Sequence, residues 1–582
     1  MTPKRLFHPM NNSLTLLTAL LFMPLAATGV RAAEVAMPSP ENHVYQFMST
    51  QTYTVPKFET PPGINVGFLF FPQTSTGYLW VPPTSNRIRG VVVMGDNVPE
   101  QWMGGHPAIR AVCAEQGLAI LFTRASFRLA AVNYVDQRVM SDSEKAGHNI
   151  AFLQQLLDAL ATESGYEELR TVPWLPIGES MSLQIVNQLT QFASQRCIAG
   201  VWVKDGSWGS ATPGVPMLAA CGTGAEWDFP KYDAFEHWRE MAVADMRDCV
   251  AKRTAMPDWP GSLVIEAGSA HFSCTEAMIH LIARYIRAAS VARLSSDGSP
   301  ALRPVDLATG YVVGIPVPGG SPIKPKRYAD CTGEQRNLPW YFDLPSAQDA
   351  YDMANVNWSA KTQVPAFTDN AGQPLPYSKS GIVDFSPTME ADGVTFALHA
   401  AFLDKIPDGC INARATLGHA PGNPLVTWLR GPIIPLGGNR FRLALDRSAD
   451  LKPGNEQNPL FLVSHPGNDE YRLSVNPASA HIPFNSAGKP QMITFEPIHD
   501  QKADTKEIKL TASADSGLPV RFYVKAGPAM VEGNKLRIAE IPVRAKQPIK
   551  VTVVAWQWGR GAEPAVRSAA AIEQTFQILL DN

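Results

Sequence analysis

The chain has 582 residues, 45% hydrophobic and 18% charged, with a formal net charge of −3. That length exceeds one domain and predicts about three folded units, and the composition excludes a disordered chain. A near-neutral balance without a basic block excludes nucleic acid as the expected partner, because phosphate binding needs clustered cations.

The first 32 residues predict an export leader. Lys4 and Arg5 precede an apolar run over 14–25, and Val30 and Ala32 place small residues where a leader is cleaved. The run is short for a membrane span, and no later segment reaches the roughly 18 apolar residues of a transmembrane helix. The expected mature protein is periplasmic or secreted. Seven cysteines suit that compartment, with Cys249–Cys274 and Cys331–Cys410 as candidate pairs. Neither a CxxC pair nor an HExxH motif occurs, so no metal or organic cofactor is expected.

From about 90 to 290, short apolar runs alternate with amphipathic stretches. Residues 90–95 predict a buried strand, 106–116 a helix and 118–123 a strand. Residues 143–164 predict a long helix with Leu153, Leu156, Leu157 and Leu160 on one face. A strand over 172–177 runs into Gly178-Glu179-Ser180-Met181-Ser182, and helix periodicity resumes with Ile185, Leu189 and Phe192. Three more strands follow at 197–203, 215–220 and 262–267, then a helix over 275–288. This alternation implies a mostly parallel sheet covered on both faces. Beyond 300 the pattern changes. Residues 301–375 are Pro-rich, with a helix-like piece near 344–356. Period-two alternation at 395–400 and 440–445 predicts antiparallel strands. Six short strands between 493 and 578 suit a β-sandwich.

Three residues at strand ends, in chain order, are expected to carry the chemistry. Ser180 sits where a strand meets a helix. A sharp turn there lifts the hydroxyl above the sheet, and the helix N-terminus offers N–H groups to a developing oxyanion. Gly178 permits the turn, while Ser182 stands where G-x-S-x-G has its second Gly. An ordinary helix N-cap serine would share this pentapeptide; chain order separates the two. After the 215–220 strand come Glu226 and Asp228. Either can hold an imidazole by its Nδ1–H, with Glu226 the first choice. After the 262–267 strand comes His271, in a loop before a helix, with the proton affinity suited to a general base. The expected oxyanion donors are the Met181 backbone N–H and the loop at Asn97. Trp102, Trp208 and Trp227 fall in loops at the same sheet edge and are candidates to line a substrate cleft.

With these residues in place, the chain resembles the α/β-hydrolase superfamily over roughly residues 65–290. Trp174-Leu175-Pro176-Ile177-Gly178-Glu179-Ser180 and Gly268-Ser269-Ala270-His271-Phe272 look like the matching segments of secreted bacterial hydrolases. The resemblance implies a Ser-His-acid triad carried onto Ser180, His271 and Glu226. Because the family acid is commonly Asp, Asp228 stays as the alternative. Residues 516–520, 526–529 and 533–536 are similar to bacterial immunoglobulin-like modules of surface proteins.

The fold class expected is therefore α/β, an α/β-hydrolase sheet domain followed by C-terminal all-β, sandwich-like domains. Its divisions are a leader (1–32), a catalytic domain (33–300), a connecting region packed on it (301–375), a β-rich domain (376–490) and an immunoglobulin-like sandwich (491–582). The activity expected is that of a secreted serine hydrolase cleaving carboxylic esters through an acyl-enzyme, with small esters, acylated polysaccharide and polyester as candidate substrates. A peptidase of the same fold and a non-catalytic cell-surface binding protein are the alternatives.

Overall fold

In the computed structural model the described residues are 44–55, 73–124, 137–204, 208–223, 237–266, 269, 271–355, 358–377, 382–406, 414–449 and 456–579. The leader expected over 1–32 lies outside them, as do Glu226, Trp227 and Asp228. Among the described residues no helix is long and apolar enough to cross a membrane.

The N-terminal half is one eight-stranded sheet: β1 (Phe47–Tyr53), β2 (Gln73–Trp80), β3 (Gly90–Gly95), β4 (Leu118–Arg124), β5 (Trp174–Glu179), β6 (Gly200–Val203), β7 (Met217–Gly222) and β8 (Gly261–Glu266). Its spatial order is β1-β2-β4-β3-β5-β6-β7-β8. β2 runs antiparallel to both neighbours, and the six strands from β4 to β8 are parallel. Strands β3, β5, β7 and β8 are buried along their whole length. That explains why they read in the sequence as apolar runs instead of alternating ones.

Between the strands lie α1 (Val98–Met103), α2 (Pro107–Gln116), α3 (Asp142–Ser164), α4 (Leu183–Phe192), α5 (His237–Ala255) and α6 (Glu276–Arg293). Local signals fix their ends. Ser141 and Glu144 form a reciprocal capping box at the start of α3, and left-handed Gly165 ends it. The four leucines expected on one face of α3 are all buried, each stabilising the fold by roughly 2 kcal/mol. The chain steps from β3 leftward to β4, then back across β3 to β5 and rightward to β6. Right-handed crossovers therefore put α2, which packs on α6, on one face and α3, which packs on α4, on the other. The direction reverses between β3 and β5, and the crevice at their C-terminal ends is where such sheets bind ligands.

Residues after 300 build onto this core and then form two further ones. Val313, Ile315, Tyr341 and the buried alanines of α7 (Leu344–Ala354) join the core of the large sheet. A second core gathers Phe396, Phe441, Phe461 and Val463, together with Trp556 and Trp558 from further along the chain. A third is built on Leu536, Val551, Val553 and Phe576. It lies among small sheets whose strands include Ile493–Phe495, Arg521–Ala526, Lys535–Ile538, Ile549–Trp556 and Ile572–Leu579, close to the expected segments. The sequence pattern missed the short strands Gln501–Lys502 and Ala529–Glu532.

The expected Cys249–Cys274 disulfide is corrected: both thiols are free and buried. Cys249 lies near Arg253, whereas Cys274 lies near Glu266 and Lys204. Adjacent positions along the chain on either side of β8 did not translate into facing side chains. Cys331 is also free, and its suggested partner Cys410 is outside the described residues.

Candidate active site

The site grows from the turn between β5 and α4. Ser180 directly follows β5 with φ 49, a left-handed backbone that a non-glycine residue adopts only when its surroundings impose it. A short 3-10 turn, Ser180–Ser182, leads into α4. The closeness of this turn explains Gly178: a Cβ there would stand 2.5 Å from the Ser182 carbonyl oxygen. Ser182 itself is buried, and a small side chain suffices where the motif usually has Gly. Ser180 is half-buried, and Met181 is 43% exposed at the sheet edge.

Beneath Ser180 lies a buried polar layer that sequence reasoning missed. The Glu179 side chain is fully buried, and its Oε1 stands 3.2 Å from His271 Nε2. His271, from the loop after β8, is thus brought against the residue preceding Ser180. Its ring also meets Phe272 edge-on at 4.9 Å. On the other side of the crevice, the loop after β3 holds the same turn. Asn97 Nδ2 donates to the Glu179 carbonyl oxygen at 2.8 Å, and Glu100 Oε1 accepts from the Glu179 backbone N–H at 2.6 Å. Burial pushes the Glu100 carboxyl up to about 8, against the opposing pull of the hydrogen bonds from backbone N–H groups, that of Glu179 first, and from the Ser182 hydroxyl. This shift favours the protonated, neutral form of Glu100. The signal for both carboxyls was their place within a few residues of the β3 and β5 ends, but a polar residue there ordinarily reads as solvated.

The histidine loop rests on a buried ion pair. Lys204, at the end of β6 with φ 62, donates from Nζ to Glu266 Oε2 at 2.8 Å and to Ser269 Oγ. Glu266, at the end of β8, accepts the Thr275 backbone N–H at 3.2 Å and the Thr275 hydroxyl. Thr275 in turn caps α6 by accepting from Met278 N. Burial alone would raise the Glu266 carboxyl, but the Lys204 charge and the hydrogen bonds from Lys204, Ser269 and Thr275 hold it below the usual carboxylate value. The loop carrying His271 is pinned at both ends by this network.

Of the residues singled out from sequence, Ser180, Met181, Asn97 and His271 converge at the C-terminal ends of β3, β5 and β8. The Asn97 backbone N–H turns back to the Gly95 carbonyl at 3.1 Å. Glu226, Asp228 and Trp227 fall outside the described residues. Trp102 and Trp208 are buried in the core of the large sheet, and Trp208 meets Trp202 and Trp259 edge-on. Both indoles are placed in packing instead of at a free surface. Among the described residues no group of three His, Cys, Asp or Glu side chains could hold a metal ion.

No family model matches the chain, and no curated relative matches it. Among solved structures, an IroE-like serine hydrolase from Shewanella oneidensis is similar at 11% identity and a TM-score of 0.27, covering 41% of this chain and 79% of that one. A cold-adapted esterase from an Arctic intertidal metagenomic library is similar at 11% identity and a TM-score of 0.25, covering 41% of this chain and 92% of that one. Dienelactone hydrolase from Anabaena variabilis is similar at 15% identity and a TM-score of 0.24, covering 42% of this chain and 99% of that one.

Proposed function

We propose that this chain is an exported serine hydrolase that cleaves carboxylic esters. The observation that carries the proposal is the left-handed Ser180 at the β5–α4 turn, with His271 seated 3.2 Å from the adjoining Glu179 side chain. A nucleophile needs this setting: a hydroxyl raised out of the sheet, a base at hand, and a helix N-terminus facing the developing charge. In the proposed reaction the Ser180 hydroxyl attacks the ester carbonyl and gives its proton to His271, which returns it to the leaving alkoxide. Water then releases the acyl group by the same proton route. Glu226, or Asp228 in its place, completes the triad from the segment after β7. The buried Glu179 carboxyl supplies a second acidic neighbour for the imidazolium formed during proton transfer. The Met181 N–H serves as an oxyanion donor; the loop at Asn97 holds the same turn, but the Asn97 backbone N–H expected as second donor is bonded to the Gly95 carbonyl and its amide to the Glu179 carbonyl. The substrate class favoured is an acyl group on a polysaccharide or polyester. The β-rich units after residue 376 can hold an insoluble polymer near the site and raise its effective concentration.

A fluorophosphonate probe tests the chemistry on the full chain. Labelling of the wild type and its loss in Ser180→Ala is the expected outcome. A folded wild type that takes no label sinks the proposal and leaves a binding protein. Acyl-ester and peptide panels then separate an esterase from a peptidase.

A further inference from the structure

The β-rich unit after residue 376 is in contact with both loops that build the site. Its strand Leu425–Arg430 (β9) meets α1, the short helix after β3. Three kinds of contact join them. Leu429 of β9 and Leu462 of the neighbouring strand Leu460–His465 (β10) form one buried cluster with Val98 of α1 and Phe272, the residue after His271. The Gly431 N–H donates to Gln101 Oε1 at 3.3 Å. Arg430 Nη2 stands 3.6 Å from Asp96 Oδ1, with the two side chains 30% and 13% exposed. Asp96 directly precedes Asn97, whose amide holds the Glu179 carbonyl beneath Ser180. One edge of the appended unit therefore touches the candidate oxyanion loop and the candidate histidine loop at once.

From this juxtaposition we infer that Arg430 is a positioning residue for ester hydrolysis, acting through Asp96 to hold the loop that bears Asn97; the inference rests on the function proposed above. The apolar cluster fixes the distance between the two loops, but it is non-directional and leaves their relative orientation to the polar contacts. A charged contact at the loop's first turn supplies direction. Preorganised donors lose their effect when displaced by a fraction of an ångström, so a small shift at Asp96 reaches the transition state while leaving substrate binding almost unchanged. The appended unit thus becomes part of the catalytic apparatus as well as a tether.

The test uses the full chain with a soluble p-nitrophenyl ester, fluorophosphonate labelling and thermal midpoints. Arg430→Ala is expected to lower kcat about fivefold, the scale of a partly exposed ion pair expressed as a rate, with KM within about twofold of wild type by that same reasoning. Arg430→Lys, which keeps the charge, should recover most of the loss. Asp96→Asn should match Arg430→Ala, and the double variant should be no slower than either. Unchanged kcat in a folded Arg430→Ala overturns the inference, as does a loss that Lys fails to recover or that appears in KM alone. An unlabelled, inactive wild type overturns the hydrolase proposal and the role of Arg430 together. An active wild type beside an unaffected Arg430→Ala overturns only the latter.

Discussion

Removing the Lys204 ammonium while leaving Glu266 in place should be the most damaging single change beneath the histidine loop. Both side chains are almost wholly buried, at 0% and 6% exposure, so Lys204→Met strands a carboxylate in a site closed to water. Breaking one side of a buried pair costs about 3–5 kcal/mol, because the remaining charge has lost its compensation. Replacing both members, as Lys204→Met with Glu266→Gln, removes that charge and keeps an acceptor for Thr275. Its cost should fall to roughly 1–2 kcal/mol, close to that of the hydrogen bonds lost. Urea unfolding at pH 7, followed by tryptophan emission, reads both values. The pH dependence adds a second check. Glu266 is held below its ordinary value of 4.5 in the fold. Its contribution is therefore present above that pH and is lost as pH falls through the lower folded value. The gap between wild type and Lys204→Met should be widest near neutrality and narrow in acid. A single-variant cost below about 1 kcal/mol, or a double variant as costly as the two single changes together, would refute the reasoning.

Two further expectations follow from the buried layer under Ser180. Glu100 keeps its proton in the fold up to about pH 8, whereas an unfolded carboxyl releases it near 4.5. Stability should fall as pH rises between these values and level off above, a change of roughly 5 kcal/mol at most at about 1.4 kcal/mol per pH unit. Glu100→Gln should match wild type near pH 5 and exceed it at pH 9; parallel pH–stability curves would show that Glu100 is not held neutral. At the turn itself, Ser180→Gly and Ser180→Ala both remove the hydroxyl and should both be inactive. Only glycine relieves the positive φ, so the Gly variant should be more stable than the Ala variant by about 1 kcal/mol. The reverse ranking in thermal unfolding would mean the turn is unstrained.

Much of the fold could be read locally. The apolar runs at β3, β5 and β8 and the leucine face of α3 have periods set by backbone geometry alone. The Gly178-Glu179-Ser180 turn was visible because strand periodicity gives way there to helix periodicity, and the later His271 separated it from an ordinary N-cap serine. The partners of Ser180 were less legible. The sequence pattern assigned Glu179 no role, yet it is buried against His271. Glu100 fell in what read as a loop, yet it closes over the Glu179 backbone N–H. Trp102 and Trp208, two of the tryptophans suggested for a cleft, pack in the core, because an indole in a short loop can fold under it as readily as face outward.

Length, composition and hydrophobic period determined by themselves that this chain has an α/β half followed by β-rich units, and they pointed to a serine at a strand–helix turn. These are properties of neighbouring residues, and neighbours constrain each other through the backbone. Only the tertiary structure decided that Lys204 meets Glu266 and that Arg430 of an appended unit meets Asp96. Such contacts join residues tens to hundreds of positions apart, and they form only when packing of the intervening elements brings the charges together.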